Sequence, residues 1–356
     1  MTNTADTTYL KQRYQGKSVI VTGGFGFKGS WLAVLLRALG ANVTIMGLQK
    51  DTDVLSTILD HESLSIDALK VDVRDPKIQE EFERIKPDYV FHLAAQPIVL
   101  EGYKNPVETF STNVMGTVNV LEAIRHLERP VSVVNVTTDK VYRDVQKDEG
   151  YVESDELRGL DPYSSSKSCS ELVTFSYRTS YFEGTDVSVS TCRAGNVIGG
   201  GDFSADRIVP DLVAGRTNGT SVPVRNFKSV RPYEHVLDAL HAYVILAARQ
   251  ADDHSLAGEY NVGPNDESLM TTHEIVKYAV RYTGVEIKDH SDPNAPHETA
   301  ILKLDSSLFR KTFSWSPKYS SKEQILRETF NWYGCHRDGA NPTAITLEQV
   351  RSFLND

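Results

Sequence analysis

The segment that decides the fold is Ser18-Val-Ile-Val-Thr-Gly23-Gly-Phe-Gly26-Phe-Lys-Gly29. Its first half is a short apolar run that ends in glycine, which is typical of a buried parallel strand. From Ser30 to Leu39 the apolar residues have helical spacing, so the glycine turn joins a strand to a helix. Such a turn can bind a dinucleotide, because glycine lets the backbone approach a pyrophosphate and the helix N-terminus offers free N–H groups. A generic turn with glycines for packing is the alternative.

Strand-like and helix-like segments alternate along the first half of the chain. Further strands are expected at Asn42–Leu48, Leu69–Val73, Tyr89–Ala95, Val131–Thr137 and Val189–Arg193, and an amphipathic helix at Pro76–Ile85. This alternation predicts an α/β fold, a Rossmann-like doubly wound parallel sheet covered by helices on both faces.

The alternation ends after Arg193, where a segment rich in glycine and small polar residues begins. We therefore expect a dinucleotide-binding Rossmann domain at residues 1–194 and mainly a smaller C-terminal substrate-binding lobe at residues 195–356. Strand-like segments near Val222 and Glu259 are candidates to return to the main sheet.

The composition narrows the possible partners. The 356 residues include 48 acidic and 38 basic side chains, for a formal net charge of −10. An acidic balance argues against general binding to nucleic acid or a membrane surface, although a few local arginines can still hold an anionic substrate. Met1–Tyr14 lacks the apolar segment of a signal peptide, so a cytoplasmic location is expected.

The cysteines give no sign of a cross-link or a metal site. Cys169, Cys192 and Cys335 are odd in number and widely spaced. Neither a disulfide framework nor a metal-ligand pattern has this spacing, so we expect three reduced thiols and no metal.

Two short strings in the middle of the chain carry candidate chemistry. Thr137-Thr-Asp-Lys140 ends the predicted fifth strand, and Tyr163-x-x-x-Lys167 lies near the start of a long helix. Tyr163 is a poor base at its free pKa of about 10. Lys167 lies one helical turn later on the same face, and its charge would favour the phenolate. Tyr163 is therefore predicted to take a proton from a sugar hydroxyl as hydride leaves the carbon.

The string at the strand end adds groups that a simple oxidoreductase does not need. Because ligands of open α/β sheets bind beyond the carboxyl ends of the strands, these residues are expected to face the pocket. Thr138 is predicted to hydrogen-bond the reacting oxygen, and Asp139 to act as a general acid toward a leaving hydroxyl. Lys140 is predicted to take a proton next to a ketone if nearby positive charge depresses its pKa. A plain strand-end ion pair between Asp139 and Lys140 is the alternative.

These strings belong to a resemblance that covers most of the chain, up to about Asp305. The chain resembles the extended short-chain dehydrogenases/reductases of the NAD-dependent epimerase/dehydratase family, and within them the 4,6-dehydratases that act on CDP-glucose. The matching strings include Gly26-Phe-Lys-Gly-Ser-Trp-Leu32, His92-Leu-Ala-Ala-Gln-Pro97, Thr112-Asn-Val-Met-Gly-Thr117, Asn135-Val-Thr-Thr-Asp-Lys140, Asp161-Pro-Tyr-Ser-Ser-Ser-Lys167 and Arg193-Ala-Gly-Asn-Val-Ile-Gly-Gly-Gly-Asp202. The Thr-Asp-Lys string discriminates, since the dTDP-glucose dehydratases have Glu where Lys140 stands.

The resemblance implies a reaction that converts CDP-glucose to CDP-4-keto-6-deoxy-glucose with NAD. Tyr163 would accept the C4 hydroxyl proton during oxidation, Asp139 and Lys140 would eliminate water across C5 and C6, and hydride would return to C6. The runner-up is another NAD-dependent nucleotide-sugar dehydratase or a 4-epimerase acting on a GDP-, UDP- or dTDP-sugar. A non-catalytic dinucleotide-binding regulator is a further alternative.

The expected binding residues follow from the motifs and the resemblance. The cofactor set is Gly23, Gly26, Phe27, Gly29, Gln49, Asp72, Val73, Leu93, Ala94, Ala95, Asn113, Thr137, Tyr163, Lys167 and Arg193. The substrate set is Gln96, Thr138, Asn196, Arg207, Arg231 and His297, and the two arginines are suited to a diphosphate.

The adenosine end of the cofactor site is less regular. Gln49 stands where NAD enzymes usually have an acid that holds the ribose diol, and Lys50 could attract a 2′-phosphate. NAD is favoured, with NADP as the alternative. Asp72 and Val73 are expected to clamp the adenine, and a helix cap is the alternative for Asp72.

The chain departs from the family's usual residues at several expected contacts. Leu100, Phe203, Tyr233 and Glu234 stand where an arginine, two tryptophans and a glutamine are usual. These positions bear on which nucleotide and sugar are accepted.

The two longest predicted helices also suggest an assembly. Pro106–His126 and Pro162–Phe182 are apolar over a wide arc. Together with the oligomeric state that is usual in the family it resembles, this implies a homodimer in which the two helices of each chain form a four-helix interface.

Overall fold

The computed structural model describes residues 3–49, 54–145, 149–204, 207–224, 226–291 and 302–355. The strands in chain order are β1 Ser18–Thr22, β2 Asn42–Gly47, β3 Ile66–Lys70, β4 Tyr89–His92, β5 Val131–Thr138, β6 Val187–Ala194, β7 Asn196–Ile198, β8 Val222–Val224, β9 Val230–His235, β10 Glu259–Val262, β11 Leu269–Thr271 and β12 Ile287–Asp289. The α-helices are α1 Asn3–Tyr14, α2 Phe27–Ala38, α3 Val54–Ile58, α4 Ile78–Ile85, α5 Val99–Lys104, α6 Pro106–Phe110, α7 Gly116–Arg125, α8 Pro162–Tyr177, α9 Ile208–Thr217, α10 Val236–Asp252, α11 Thr272–Thr283, α12 Ser307–Phe313, α13 Lys322–Arg337 and α14 Pro342–Asn355.

A seven-stranded sheet forms the centre of the molecule. Its strand order is β10-β6-β5-β4-β1-β2-β3, and all neighbouring strands are parallel. The order reverses between β1 and β4, and ligands of such sheets bind in the crevice beyond the carboxyl ends at this point. The doubly wound α/β fold predicted from the sequence is confirmed.

Helices bury both faces of the sheet, as the apolar strands require. Alternate residues of β1 point to opposite sides, so Val19 and Val21 belong to one core cluster and Ile20 to the other. Side chains of α2, α10 and α14 complete the first cluster, and those of α4 and α7 complete the second. The site is therefore built on strands that cannot shift without disturbing a two-sided core.

The third strand differs from its predicted position. It runs from Ile66 to Lys70 and not from Leu69 to Val73, so Asp72 lies beyond the strand end. β3 is the edge strand of the sheet, and Asp67 and Ala68 in its middle are exposed. An edge strand with a solvated face lacks the continuous apolar run on which the prediction relied.

The later part of the chain builds two small sheets and also contributes to the main one. The three-stranded sheet has the order β11-β9-β7, and β12 pairs with β8 in a two-stranded sheet. The segment at Glu259 forms β10 and pairs with β6 in the main sheet, whereas the segment at Val222 forms β8 and does not.

Both long helices predicted from the sequence contain a π-helical turn. Ser111–Met115 separates α6 from α7, and Arg178–Phe182 extends α8. Within the described ranges, none of the helices is long and apolar enough to cross a membrane. All three cysteines are free thiols.

Candidate active site

The glycines of the turn after β1 have different roles. Gly23 has a left-handed φ of +70°, and a Cβ there would lie 2.6 Å from the backbone nitrogen of Ala94. A Cβ on Gly29 would lie 2.3 Å from the Gly23 oxygen. Both are therefore required by packing, whereas a Cβ on Gly26 would meet only the Gly23 oxygen at 3.4 Å.

Gly26 also begins α2 without a side-chain cap. The first backbone N–H groups of the helix thus have no side-chain cap, which leaves them available to bind a pyrophosphate. Phe27 follows directly as the first residue of α2, and its ring approaches Gly199 of the loop after β7. The residues present here fit a dinucleotide.

At the adenosine end, the Asp72 carboxylate is already engaged. Arg74 Nη2 lies 2.6 Å from Asp72 Oδ2, and the backbone N–H of Arg74 donates to Asp72 Oδ1 at 2.9 Å. The bond to Arg74 lowers the pKa of Asp72. Since α4 begins only at Ile78, Asp72 does not cap that helix. Gln49 is exposed beyond β2, and Lys50 lies outside the described residues.

The segment after β4 is fixed by buried amide groups. Asn113 Nδ2 donates to Ser166 Oγ at 2.8 Å, and Asn113 Oδ1 accepts from the backbone of Gln96 at 2.7 Å. The Gln96 side chain donates to Thr109 Oγ1 at 2.9 Å and accepts from the N–H of Ile98 at 2.7 Å. The polar atoms of Gln96 are thus occupied within the protein, which argues against its predicted contact with the substrate. The network holds Leu93, Ala94 and Ala95 against the glycine turn.

Helix α8 has clear start signals that place the candidate base. Pro162 occupies its first turn, and the Asp161 carboxylate accepts from the backbone N–H of Ser164 at 3.1 Å. Proline and an aspartate cap are both favoured at a helix start. Tyr163 therefore lies in the first turn of α8, facing the end of β5.

Three of the five predicted catalytic residues form one hydrogen-bonded cluster, and Tyr163 lies beside it, close enough for the Thr138 hydroxyl to act on its pKa. Thr138 Oγ1 donates to Asp139 Oδ1 at 2.8 Å. Lys140 Nζ donates to the same Asp139 oxygen at 2.9 Å. The other oxygen, Asp139 Oδ2, is buried without a partner and faces Gly195, whose Cβ would lie 3.6 Å away. The cluster thus has one free acid–base oxygen.

Lys167 has a different environment from the one predicted. Its Nζ donates to the Val136 carbonyl at 2.8 Å, and burial together with the charge of Lys28 lowers its pKa to about 8. Burial raises the pKa of Tyr163, and the positive charge that opposes this most strongly is that of Lys140. The charges that favour the phenolate of Tyr163 in this structure are those of Lys140 and Arg207, and the predicted contribution of Lys167 is not among the largest.

The expected depression of the Lys140 pKa is wrong. Burial opposes the charged form, but the charge of Asp139 and the hydrogen bond to it outweigh burial and raise the pKa of Lys140. The strand-end ion pair that was the alternative is present, and it lies inside the cleft. Lys140 is a charged ammonium as long as Asp139 is ionised.

The two predicted diphosphate arginines surround this cluster. Arg207 Nη1 lies 3.0 Å from Asp202 Oδ2, and its charge acts on Tyr163. Arg231 donates to the Val230 carbonyl at 3.0 Å, and its charge acts on Lys140. Both thus add positive charge around a cleft suited to an anion.

The other predicted substrate residues are less informative. Asn196 is half-buried at the start of β7, in register with Tyr233 of β9. His297 lies outside the described residues.

Arg193 does not offer its side chain to a cofactor. It is 2% exposed, and its Nη2 donates to Glu171 Oε2 at 2.9 Å. Its Nη1 donates to the Tyr142 hydroxyl at 2.7 Å and to the Glu153 carbonyl at 3.0 Å. Any contact with the cofactor is left to its backbone, because the guanidinium belongs to a buried network. The side chain of Thr137 also joins this network, as a donor to Glu171.

Three charged residues near the cluster were not assigned a role from the sequence. Burial and the charge of Arg207 lower the pKa of Lys28 to about 8. Glu234 is buried with both carboxylate oxygens unpartnered, and burial raises its pKa well above the usual range. Glu171 pairs with Arg193. The sequence contained a feature that could have drawn attention to each residue. Lys28 is a charged residue within a glycine turn, Glu234 is a charged residue within a strand, and Glu171 follows Lys167 by one helical turn.

Comparison with known proteins identifies the class. The family model described as GDP-mannose 4,6 dehydratase matches residues 20–329, and the chain belongs to this family. The CDP-glucose 4,6-dehydratase of Salmonella typhimurium is 39% identical over 97% of this chain and 98% of its own length. The resemblance stated from the sequence motifs is thereby confirmed.

Solved structures agree on the fold. The Thermus thermophilus UDP-glucose 4-epimerase in complex with NAD matches 88% of this chain and 98% of its own, with a TM-score of 0.72 and 26% identity. The Bacillus anthracis dTDP-glucose 4,6-dehydratase in complex with NAD matches 91% and 99%, with a TM-score of 0.73 and 24% identity.

Proposed function

We propose that this protein is an NAD-dependent nucleotide-sugar 4,6-dehydratase that converts CDP-glucose to CDP-4-keto-6-deoxy-glucose. The observation that carries the proposal is the bonded cluster of Thr138, Asp139 and Lys140 beside Tyr163, with one free carboxylate oxygen on Asp139. A 4-epimerase needs a base at C4 but no second acid–base pair. The 39% identity to a CDP-glucose 4,6-dehydratase supports the same choice.

The cofactor, when bound, supplies the group that accepts and returns hydride. The turn from Gly23 to Gly29 would hold its pyrophosphate on the free N–H groups of α2. Gln49 offers the ribose diol a hydrogen bond without the charge of a carboxylate. We therefore propose NAD as the cofactor.

The first proton step runs along the hydroxyl chain. Tyr163 takes the proton of the C4 hydroxyl, and its own proton has a path through the Thr138 hydroxyl to Asp139 Oδ1. Because burial disfavours a lasting phenolate, a nearby acceptor for this proton lowers the cost of the oxidation.

The second step follows from what protonation does to Lys140. The charge of Asp139 is what raises the pKa of Lys140 against burial. When Asp139 takes up a proton and Tyr163 is neutral, burial and the charge of Arg231 remain, and both lower the pKa of Lys140. Lys140, whose side chain is 37% exposed, can then release its ammonium proton to solvent and accept the proton on C5, while Asp139 protonates the leaving C6 hydroxyl. Protonation of Asp139 thus prepares Asp139 to act as the acid and Lys140 to act as the base.

We also propose that the protein is a homodimer. Apolar side chains are exposed along the two helices expected at the interface, namely Val107 (82%), Met115 (49%), Leu172 (57%), Phe175 (52%) and Tyr181 (52%). Burying a contiguous apolar face of this kind is the usual reason for a two-fold association. Light scattering at micromolar concentration should give twice the chain mass.

The function is tested by incubating the purified protein with CDP-glucose, with and without added NAD⁺, and following the product by mass spectrometry. We expect the loss of one water with no net reduction of the cofactor. GDP- and UDP-glucose serve as matched substrates that differ only in the base, and dTDP-glucose differs in the base and in lacking the 2′-hydroxyl of the ribose. An unchanged mass with inversion at C4 would instead identify an epimerase.

A further inference from the structure

A buried network lies directly beneath the turn that carries Asp139. Arg193, at the end of β6, donates to Glu171 Oε2 at 2.9 Å and to the Tyr142 hydroxyl at 2.7 Å. The Tyr142 hydroxyl donates in turn to Asn261 Oδ1 of β10 at 2.7 Å. We call these four residues the Tyr142 network. Its members come from four separate segments of the chain.

The network is shielded from water and its central hydroxyl is fully used. The side chains of Arg193 and Glu171 are 2% and 1% exposed. Burial raises the pKa of Tyr142, so the phenol stays neutral and can both accept from Arg193 and donate to Asn261. Hydrogen bonds in such a low-dielectric setting hold their partners firmly.

The network joins the two parts of the proposed active site. Tyr142 follows the 3-10 turn Asp139–Val141 without a break. Glu171 lies on α8, one helical turn after Lys167 and two turns after Tyr163, so the three side chains share a face. Glu171 also accepts from the hydroxyls of Thr137 and Thr191, at the ends of β5 and β6.

We infer that Tyr142 is a positioning residue for water elimination, because its hydroxyl ties the Asp139–Lys140 turn to the Arg193–Glu171 pair and so to the helix that carries Tyr163. The inference rests on the proposed function. Tyr163 and Lys167 are built into α8 and keep their places without the Tyr142 hydroxyl. The turn keeps the bond from Ser168 Oγ to the Val141 carbonyl at 2.8 Å but loses its link to the Arg193–Glu171 pair, so we expect Asp139 and Lys140 to shift more than Tyr163.

Tyr142 is the member of the network that can be changed without breaking the fold. Removing Arg193 or Glu171 leaves a buried charge without its partner, and such variants risk unfolding. Tyr142→Phe deletes one oxygen and keeps the ring, which stacks on Tyr151 with centroids 5.1 Å apart. Tyr151→Phe is the matched control. The Tyr151 hydroxyl accepts from the Val145 N–H, whereas Arg193 donates to the Tyr142 hydroxyl, so the control deletes a neighbouring phenol oxygen that Arg193 does not contact.

The experiment mixes each variant with CDP-glucose and follows reduced cofactor by absorbance and product by mass spectrometry. For Tyr142→Phe we expect product formation to fall about tenfold, as befits the loss of buried hydrogen bonds, with KM changed less than about twofold. Reduced cofactor should accumulate during the first turnover, because C4 oxidation continues while elimination is slow. Tyr151→Phe should turn over like the wild type and accumulate none.

Three results overturn the inference. One is wild-type turnover in Tyr142→Phe, and another is an equal loss of oxidation and elimination, which indicates a general structural role. The third is slow product formation with accumulation of reduced cofactor in Tyr151→Phe, as expected for Tyr142→Phe. A wild-type protein that removes water from no nucleotide sugar is a separate outcome, which overturns the proposed function and this inference with it.

Discussion

Two ion pairs lie side by side at the ends of β5 and β6, and their charged atoms are equally far apart. Asp139 and Lys140 approach to 2.9 Å, and so do Glu171 and Arg193. The Lys140 side chain is 37% exposed and Asp139 keeps a free oxygen, whereas Arg193 is 2% exposed and both Glu171 oxygens accept hydrogen bonds. An open pair with a spare lone pair can exchange protons with a ligand, but a closed pair can only support the fold. Asp139 is as buried as Glu171, at 1% exposed, so the exposure of the cation and the spare bonding capacity of the carboxylate, and not distance, separate the two pairs.

The largest effect is expected from removing the acid of the open pair. Asp139→Asn keeps the shape of the side chain but cannot deliver a proton to the C6 hydroxyl. We expect product formation to fall about a thousandfold, within the range of a lost general acid. C4 oxidation keeps Tyr163 but loses the acceptor for its proton, so it should slow less than elimination, and reduced cofactor should still accumulate on mixing with CDP-glucose.

Asp202→Asn serves as the control, since it removes a carboxylate that pairs with Arg207 but lies outside the Asp139 cluster. Its product formation should stay far above that of Asp139→Asn. An Asp139→Asn enzyme that keeps more than a tenth of wild-type turnover would show that the open pair is not the acid.

The closed pair, Glu171 and Arg193, should make a measurable contribution to the free energy of unfolding. Arg193→Met leaves the Glu171 carboxylate buried without its cation, and we expect the free energy of unfolding to fall by about 3 kcal/mol. The double variant Glu171→Leu with Arg193→Met removes both charges and should recover most of this loss. Urea unfolding followed by circular dichroism measures the three values.

An exposed pair provides the comparison for this measurement. Arg84 and Glu81 are 2.6 Å apart, with side chains 60% and 31% exposed. Arg84→Met should change the free energy of unfolding by less than about 1 kcal/mol, because water screens the pair. A similar small change in Arg193→Met would contradict the view that the second pair is closed.

Lys167 is a third cation, and it sharpens the comparison because the charge of Glu171 does not outweigh the effect of burial on its pKa. Burial and Lys28 lower the pKa of Lys167 to about 8, below its unfolded value of 10.5. Between these values the unfolded chain binds more protons than the folded one, so stability rises with pH in this window. From pH 7.5 to 9.5 the unfolding free energy of the wild type should rise by about 2 kcal/mol relative to Lys167→Met.

Thermal or urea unfolding at several pH values measures this difference. Lys77→Met, at an exposed position, controls for the loss of a positive charge as such. A difference curve between wild type and Lys167→Met that is flat or falls with pH would mean that Lys167 is not held in a charge-disfavouring site.

Much of the site was accessible from the sequence because its chemistry is carried by contiguous strings. Thr138, Asp139 and Lys140 are neighbours in the chain, and Tyr163 and Lys167 share a helix face, so their encounter at the end of β5 follows from the fold class. The glycine turn was recognised for the same reason. The separate roles of its glycines were not predicted. Only the structure shows that a side chain at Gly23 or Gly29 would clash with the backbone and that one at Gly26 would not.

What the sequence did not show is which side chains have partners that come from elsewhere in the chain. Gln96 was expected to meet substrate, but Thr109 and Ile98 occupy its amide. Arg193 was expected to meet the cofactor, but Glu171 and Tyr142 hold its guanidinium. Such pairings depend on which segments the sheet order brings together, and no local pattern encodes them.

The sequence by itself determined the parallel sheet and the dinucleotide turn, and it placed the candidate catalytic groups in two short strings, because backbone preference and side-chain chemistry are local properties. Only the tertiary structure decided which Asp139 oxygen is free, that Lys140 has a raised pKa and that the pKa of Lys167 is lowered. These depend on burial and on charges from distant segments. A side chain's proton affinity is set by its surroundings in space, and the surroundings exist only once the chain has folded.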